Sequence, residues 1–205
     1  MENLKKGKLI KRIILTIIGM LLCILLINVS VYAALQQSAN LTNKITVTTE
    51  GQAQAIVQAY QTSLTGNTAV TAMPESEPTW GEAFFTKDET TNEGSKEMAE
   101  MIFSETTNKN VYGYKIFVEN KSTVPVDVAI TSSTESNTQI DVYCGTTYAT
   151  LTKLDNTAGV NFASEDLAKD GTLTYYIFVC SNVALADMTE QASQTFDVEV
   201  NIKVA

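Results

Sequence analysis

The side chains best suited to chemistry in this chain are three cysteines, 23 carboxylates and a scatter of aromatics, set against a complete lack of histidine. Without imidazole, a Ser-His-Asp triad, a Cys-His dyad and an H-E-x-x-H zinc site are all excluded. No G-x-S-x-G, Walker phosphate loop or Rossmann glycine fingerprint occurs either. A glycosidase needs only two carboxylates, and pairs are at hand: Asp88 with Glu89, Glu97 with Glu100, Glu165 with Asp166. Each pair sits in a polar stretch, where a solvated surface is the expected setting, so no catalytic residue is assigned. Asp155, Glu165, Asp166 and Asp170 gather acids without the D-x-[DN]-x-[DN]-G spacing of a calcium loop, so neither a metal site nor a cofactor is expected. The chain reads as a non-enzyme.

The cysteines point to a compartment rather than to a reaction. Cys23 lies in an apolar leader, which leaves Cys144 and Cys180 as an even pair in the remainder. Both fall inside apolar strand-like runs, Gln139–Cys144 and Thr172–Cys180, so a disulfide between neighbouring strands or facing sheets is expected, with two buried free thiols as the alternative. A closed loop of that size stabilises a domain by about 3 to 4 kcal/mol in the chain-entropy picture.

What carries these residues out of a cell is the N-terminus. Lys5, Lys6, Lys8, Lys11 and Arg12 precede an apolar run from Ile13 to Leu35, of which Ile13–Ile27 holds no charge. Val31, Tyr32, Ala33 and Ala34 then supply the small or apolar residues of a signal-peptidase site, with the cut expected between Ala33 and Ala34. The same 23-residue run is also long enough for an uncleaved membrane anchor. In both cases the cations stay in the cytoplasm and the bulk lies outside, secreted or held on the outer face of the plasma membrane. Residues 1–33 are thus a signal peptide or N-terminal anchor, and residues 34–205 a single extracellular domain. No second span and no C-terminal sorting tail are expected.

Beyond residue 33, nine lysines and no arginine face 22 carboxylates, a formal charge of −13. Such a surface repels nucleic acid and gains nothing from anionic lipid. The expected partners are further copies of the chain or a component of the cell envelope, with membrane contact only through residues 13–35 if the leader stays.

The elements that position these residues read as strands. Ile45, Val47, Thr49, Ala53, Ala55, Val57 and Ala59 alternate with polar residues, which predicts one long strand, or two in line with a bulge at Gly51; a helix competes over Ala53–Tyr60. Thr62–Glu82, with Pro74 and Pro78 before Trp80, reads as a loop whose tryptophan plugs the edge of a core. Ser95 is placed to cap a short helix carrying Met98, Met101 and Ile102. Val111–Glu119 and Val124–Thr131, joined by the polar link from Asn120 to Thr123, read as an antiparallel hairpin. Ile140–Cys144 is a further strand, Thr152–Asp170 a long connection, and Leu173–Cys180 a central strand covered on both faces. Phe196–Val204 alternates without a miss and should turn one face to water. Seven or more such segments imply an all-β domain, an Ig-like or jelly-roll-type antiparallel β-sandwich, preceded by the hydrophobic N-terminal helix.

The leader, the stretch FVENKSTVPVDV from Phe117 to Val128, and the closing runs GTLTYYIFVC and TFDVEVNIKV together resemble the TasA and camelysin family of exported Gram-positive proteins. That resemblance implies a β-sandwich, and for some members polymerisation into biofilm-matrix fibres by donating an N-terminal strand to a neighbour. Ile45 and Val47 are the strand-donor candidates here. Two functional classes follow. One is a structural or adhesive protein of the cell surface or matrix, assembling by adding the stretch Ala34–Thr49 to a neighbour's sheet. The other is a monomeric binding module, or membrane-anchored accessory protein, that recognises a wall polymer or partner through loops such as Thr62–Glu82 and Thr152–Asp170.

Overall fold

A two-residue rhythm of apolar and polar side chains suits an extended backbone, because successive side chains on a strand point to opposite faces. In the computed structural model, which describes residues 43–65, 74–134, 138–154, 159–188, 193–194 and 196–205, that rhythm resolves into thirteen strands among the described residues. They are β1 (Asn43–Thr49), β2 (Ala55–Thr65), β3 (Phe85–Lys87), β4 (Glu93–Met98), β5 (Met101–Ile102), β6 (Lys109–Asn120) and β7 (Val126–Thr134), followed by β8 (Ile140–Gly145), β9 (Thr152–Leu154), β10 (Asn161–Leu167), β11 (Thr172–Ser181), β12 (Ser193–Gln194) and β13 (Phe196–Val204). Five strands form one sheet in the order β10-β7-β13-β1-β4, six form another in the order β3-β2-β6-β11-β8-β9, and β12 pairs with β5.

The two large sheets face each other across one core. Ile45, Val47, Ile130, Val198 and Val200 from the first sheet meet Val57, Ala59, Ile116, Ile177 and Val179 from the second. Tyr114 of β6 stacks on Phe196 of β13 at 5.5 Å, and the Phe162 ring of β10 meets Tyr175 of β11 at a tilt with centroids 4.5 Å apart, so aromatic contacts tie sheet to sheet. Among the described residues the fold is nearly all β, a sandwich of two sheets. The sandwich is not wholly antiparallel, because β1 runs parallel to β13.

Several segments depart from the sequence reading for identifiable reasons. The stretch from Ile45 to Ala59 is neither one strand nor a bulged pair: β1 lies in the five-stranded sheet and β2 in the six-stranded one. The link between them turns at Gly51, whose φ of +66° suits glycine, and Ala53 N–H closes the turn on Glu50 O at 3.2 Å. Odd-numbered residues face the core on both sides of this turn, so the period of two runs on unbroken although the chain has changed sheets.

The expected hairpin is an arch. β6 pairs with β2 and β11, while β7 pairs with β13 and β10, so the polar link carries the chain between sheets. Asn120, fully buried, makes this possible: its Nδ2 donates to Val124 O and Leu167 O, both at 2.9 Å, and its Oδ1 accepts from Ser122 N at 2.8 Å. Ser122 Oγ in turn accepts from Gln54 N at 2.7 Å, which staples this arch to the β1–β2 turn.

The residues after Ser95 are strand, not helix. Pairing along β1 (Thr46 opposite Ser95, Lys44 opposite Glu97) outweighs local helical preference. The stretch from Thr152 to Asp170 holds β9 and the bulged edge strand β10, whose Phe162 packs on the core. Residues 1–42, with the leader and its cleavage pair Ala33 and Ala34, lie outside the described residues.

Candidate functional site

β1 occupies an unusual place. It is the first described strand, yet it lies in the interior of its sheet, hydrogen-bonded on one side to β13 in parallel (Ile45 opposite Val198, Val47 opposite Val200) and on the other to β4 in antiparallel fashion. Asn43, Ile45, Val47 and Thr49 are buried, whereas Lys44 is exposed and Thr46 and Thr48 are half-buried. The donor candidates Ile45 and Val47 therefore sit in their own chain's core, at 1% and 0% exposure. On its C-terminal side, β1 is joined to the rest of the sandwich through the Gly51 turn.

Polar contacts fix the start of β1. Asn43 is fully buried; its Nδ2 donates to Ala99 O at 3.1 Å, and its Oδ1 accepts from Phe196 N at 2.7 Å. Ala99 is also gripped from the opposite sheet, its N–H donating to Gln61 Oε1 at 3.2 Å while Gln61 Nε2 reaches Tyr114 Oη at 3.3 Å. At the other end Thr49 Oγ1 donates to Asn92 O at 3.1 Å. Nothing in the alternation of Ile45 and Val47 announces the role of Asn43; a lone asparagine opening an apolar-alternating strand is its only signal in the sequence.

A second apolar cluster lies on the outer face of the six-stranded sheet. Val111, Phe178 and Cys180 are buried there beneath Leu64, Trp80, Tyr143, Tyr148, Leu151 and Tyr176. Gly113 lies opposite Phe178, and a Cβ on it would come within 2.6 Å of the Phe178 ring, so glycine lets the ring lie flat over β6. The segment from Pro74 to Trp80 covers this face, pinned by Tyr148 Oη donating to Pro74 O at 2.6 Å and braced within itself by Trp80 Nε1 donating to Glu77 Oε1 at 2.7 Å. Lys115 Nζ stands over the Tyr60 ring at 4.5 Å and the Trp80 ring at 5.2 Å. Trp80 thus packs against the outside of a sheet, at 5.9 Å from Phe178 and 6.2 Å from Tyr176, and not at the edge of the main core.

The expected bridge between Cys144 and Cys180 is absent: both are buried free thiols. The register explains why. Cys144 pairs with Ile177 and faces the main core, whereas Cys180 pairs with Asp141 and belongs to the outer cluster, so the thiols lie on opposite faces of one sheet. Burial, and then the neighbouring Asp141, push the Cys180 thiol up to about 12, which keeps it protonated and unreactive at neutral pH.

The carboxylate pairs are not drawn together. Asp88 accepts from Thr90 N at 3.0 Å and Thr90 Oγ1 at 2.8 Å in an exposed turn, and these bonds hold its carboxyl below the usual range. Glu97 and Glu100 are exposed, Glu165 and Asp166 sit at the β10 bulge, Asp170 lies in the turn before β11, and Asp155 lies outside the described residues. Among the described residues no three His, Cys, Asp or Glu side chains are grouped to hold a metal. One buried cation escaped the sequence reading. Lys87, 2% exposed, donates to Ala55 O at 3.2 Å and Asp88 O at 3.1 Å, tying β3 to β2; burial lowers its pKa, against the opposing pull of Asp88 and Glu89.

No protein-family model matches the chain, and no curated protein matches it. Solved structures with faint likeness include the carbohydrate-binding module TmCBM61 in complex with β-1,4-galactotriose, 9% identical over 43% of this chain and 63% of that one, at a TM-score of 0.23. A β-glucosidase from Kluyveromyces marxianus in complex with glucose is 11% identical over 74% of this chain and 15% of that one, at a TM-score of 0.29. A major pilin from Streptococcus pyogenes is 10% identical over 80% of this chain and 97% of that one, at a TM-score of 0.17. The chain spans less than two thirds of the first two. At these identities and TM-scores no property of theirs is carried over.

Proposed function

We propose that this chain is an exported, non-enzymatic structural protein of the cell surface or extracellular matrix whose copies join by exchanging β1. The observation that supports this is the seat of β1: the first described strand, inside a sheet and joined on its C-terminal side through the Gly51 turn, whose withdrawal opens a slot between β13 and β4. A strand of the same sequence from a neighbour would rebuild both ladders and refill the core, so exchange is near neutral in energy and protein concentration decides the outcome. The leader and the resemblance to the TasA and camelysin family agree with export and strand donation. The test is a comparison of two purified chains, one starting at Ala34 and one at Gln52. The longer chain is expected to form sheet-linked oligomers or filaments in electron microscopy and size-exclusion chromatography, and the shorter one to form none. Equal assembly by both overturns the reading.

One observation favours a second reading, that of a monomeric binding module. Lys115 lies between Tyr60 and Trp80 on the outer sheet face, an aromatic and cationic surface of a kind that stacks planar or ring-shaped ligands. Under it, retention on cell-wall material falls in Trp80→Ala; unchanged retention rejects it.

A further inference from the structure

The core-facing residues of β1 read Asn43, Ile45, Val47, Thr49, and this pattern tolerates a shift of two positions almost everywhere. A slip of one residue turns every buried side chain to water, but a slip of two keeps the faces and merely trades Ile for Val or Val for Thr. Asn43 breaks the degeneracy. Moved two places along β13, its amide would enter the core beside Val198, where Ile45 now sits, with no partner for either end. Moved the other way, Ile45 would take its place and leave the Phe196 N–H without its side-chain acceptor, while Ala99 O would keep only Gln61 Nε2 at 3.3 Å. Burying a polar group without its partner costs the whole desolvation of that group, and a single buried asparagine is known to select one register of paired chains in this manner. Within one chain the short Gly51 turn adds a second restraint on register. A strand donated by another copy lacks that restraint.

We infer that Asn43 is the positioning residue that fixes the register, and through it the identity, of the strand accepted between β13 and β4, so that the slot takes the β1 of a second copy in one alignment only. Acceptance of a second copy's β1 rests on the strand-exchange reading; the alignment of β1 within one chain does not.

Engineered cysteines read the alignment directly. Thr46 lies opposite Glu199, so Thr46→Cys in one chain and Glu199→Cys in another cross-link on mild oxidation only when β1 is donated in the native register. Thr46→Cys with Asn201→Cys reports a slip of two in one direction, and Thr48→Cys with Glu199→Cys a slip of two in the other. Carrying Thr46→Cys and Glu199→Cys in the same chain shows that β1 is seated. With Asn43 present, the native-register product between chains is expected to exceed either slipped product by about tenfold or more, the discrimination an unpaired buried amide imposes. Asn43→Val is expected to bring the slipped products to within about threefold of the native one, since an apolar side chain removes that penalty. Where Asn43→Val does not fold, Asn43→Ala removes the same amide with less bulk and is expected to loosen the register in the same direction.

Native-register products that dominate equally with and without Asn43 overturn the assignment and leave strand exchange standing. Linkage only within single chains, and none between chains, removes the exchange reading and with it the role in trans. A register that then loosens within single chains on Asn43→Val shows which half survives.

Discussion

β1 and β11 are both interior strands, and they are held in different ways. β11 buries both faces: Ile177 and Val179 enter the main core, Phe178 and Cys180 the outer cluster, and long ladders to β6 and β8 flank it. β1 buries one face only, and one of its neighbours, β4, is itself the edge of the sheet. If β1 exchanges as proposed, an interior place alone does not make a strand permanent, and the burial of both faces that β11 has and β1 lacks is what does.

The largest expected effect tests this contrast in the core. Ile177→Ala and Ile45→Ala each remove a fully buried side chain and should each cost about 2 to 5 kcal/mol in urea unfolding. Because an exchanged β1 makes the same contacts as a seated one, Ile45→Ala should leave the exchanged fraction at equal folded fraction unchanged but speed exchange between copies, whereas Ile177→Ala should not speed it. Equal exchange rates in the two variants would erase the distinction between the strands. Next comes Gly113→Ala, whose Cβ would press on Phe178 at 2.6 Å; about 1 to 3 kcal/mol of destabilisation is expected from such overpacking, together with altered Trp80 fluorescence.

Gly51→Val sharpens the comparison from the other side. A β-branched residue at φ +66° strains the closed turn by about 1 to 2 kcal/mol. An extended hinge in an exchanged pair does not carry that strain, so the monomer weakens while the exchanged fraction in size-exclusion chromatography rises. A fall in both would mean that the turn does not act as the hinge.

The smallest effect is in alkali. The Cys180 thiol is held up to about 12 in the fold, whereas an exposed thiol ionises near 9.0, so the unfolded chain gives up its proton first. The contribution of Cys180 is complete below pH 9 and is lost as pH rises toward 12. Buried tyrosines such as Tyr114 and Tyr175, also raised by burial, add to the decline. Cys180→Ala should flatten the fall of stability between about pH 9 and 11 by its own share, measured by urea unfolding at several pH values.

The sandwich was legible wherever alternation was uninterrupted. β8, β11 and β13 lie where their side chains announced them, and the apolar residues on both faces of β11 foretold its central place. What stayed hidden was which sheet each strand joins. A period of two is the same on either side of Gly51, and the link after Asn120 has the composition of a tight turn whether the next strand doubles back or crosses over; the choice is made by Asn120 and Ser122 bonding to residues far along the chain. The short helix expected after Ser95 failed because pairing with β1, a long-range term, overrides local preference. The cysteine bridge failed because an even number of cysteines in strand-like runs says nothing of the faces they point to. Of the slot, the apolar fillers Ile45 and Val47 were visible in advance, and the polar residue that sets their alignment was not.

The parallel run of β1 beside β13 also determines how the sandwich answers to force. Asn43 lies beside the start of β13 and Val204 beyond the end of β1, so tension applied at these two points draws the strands lengthwise past each other. The hydrogen bonds of that ladder then share the load and yield together, in shear, instead of parting one after another as in a peeled zipper. A fibre linked through such seams would resist stretching along its strands far better than peeling across them.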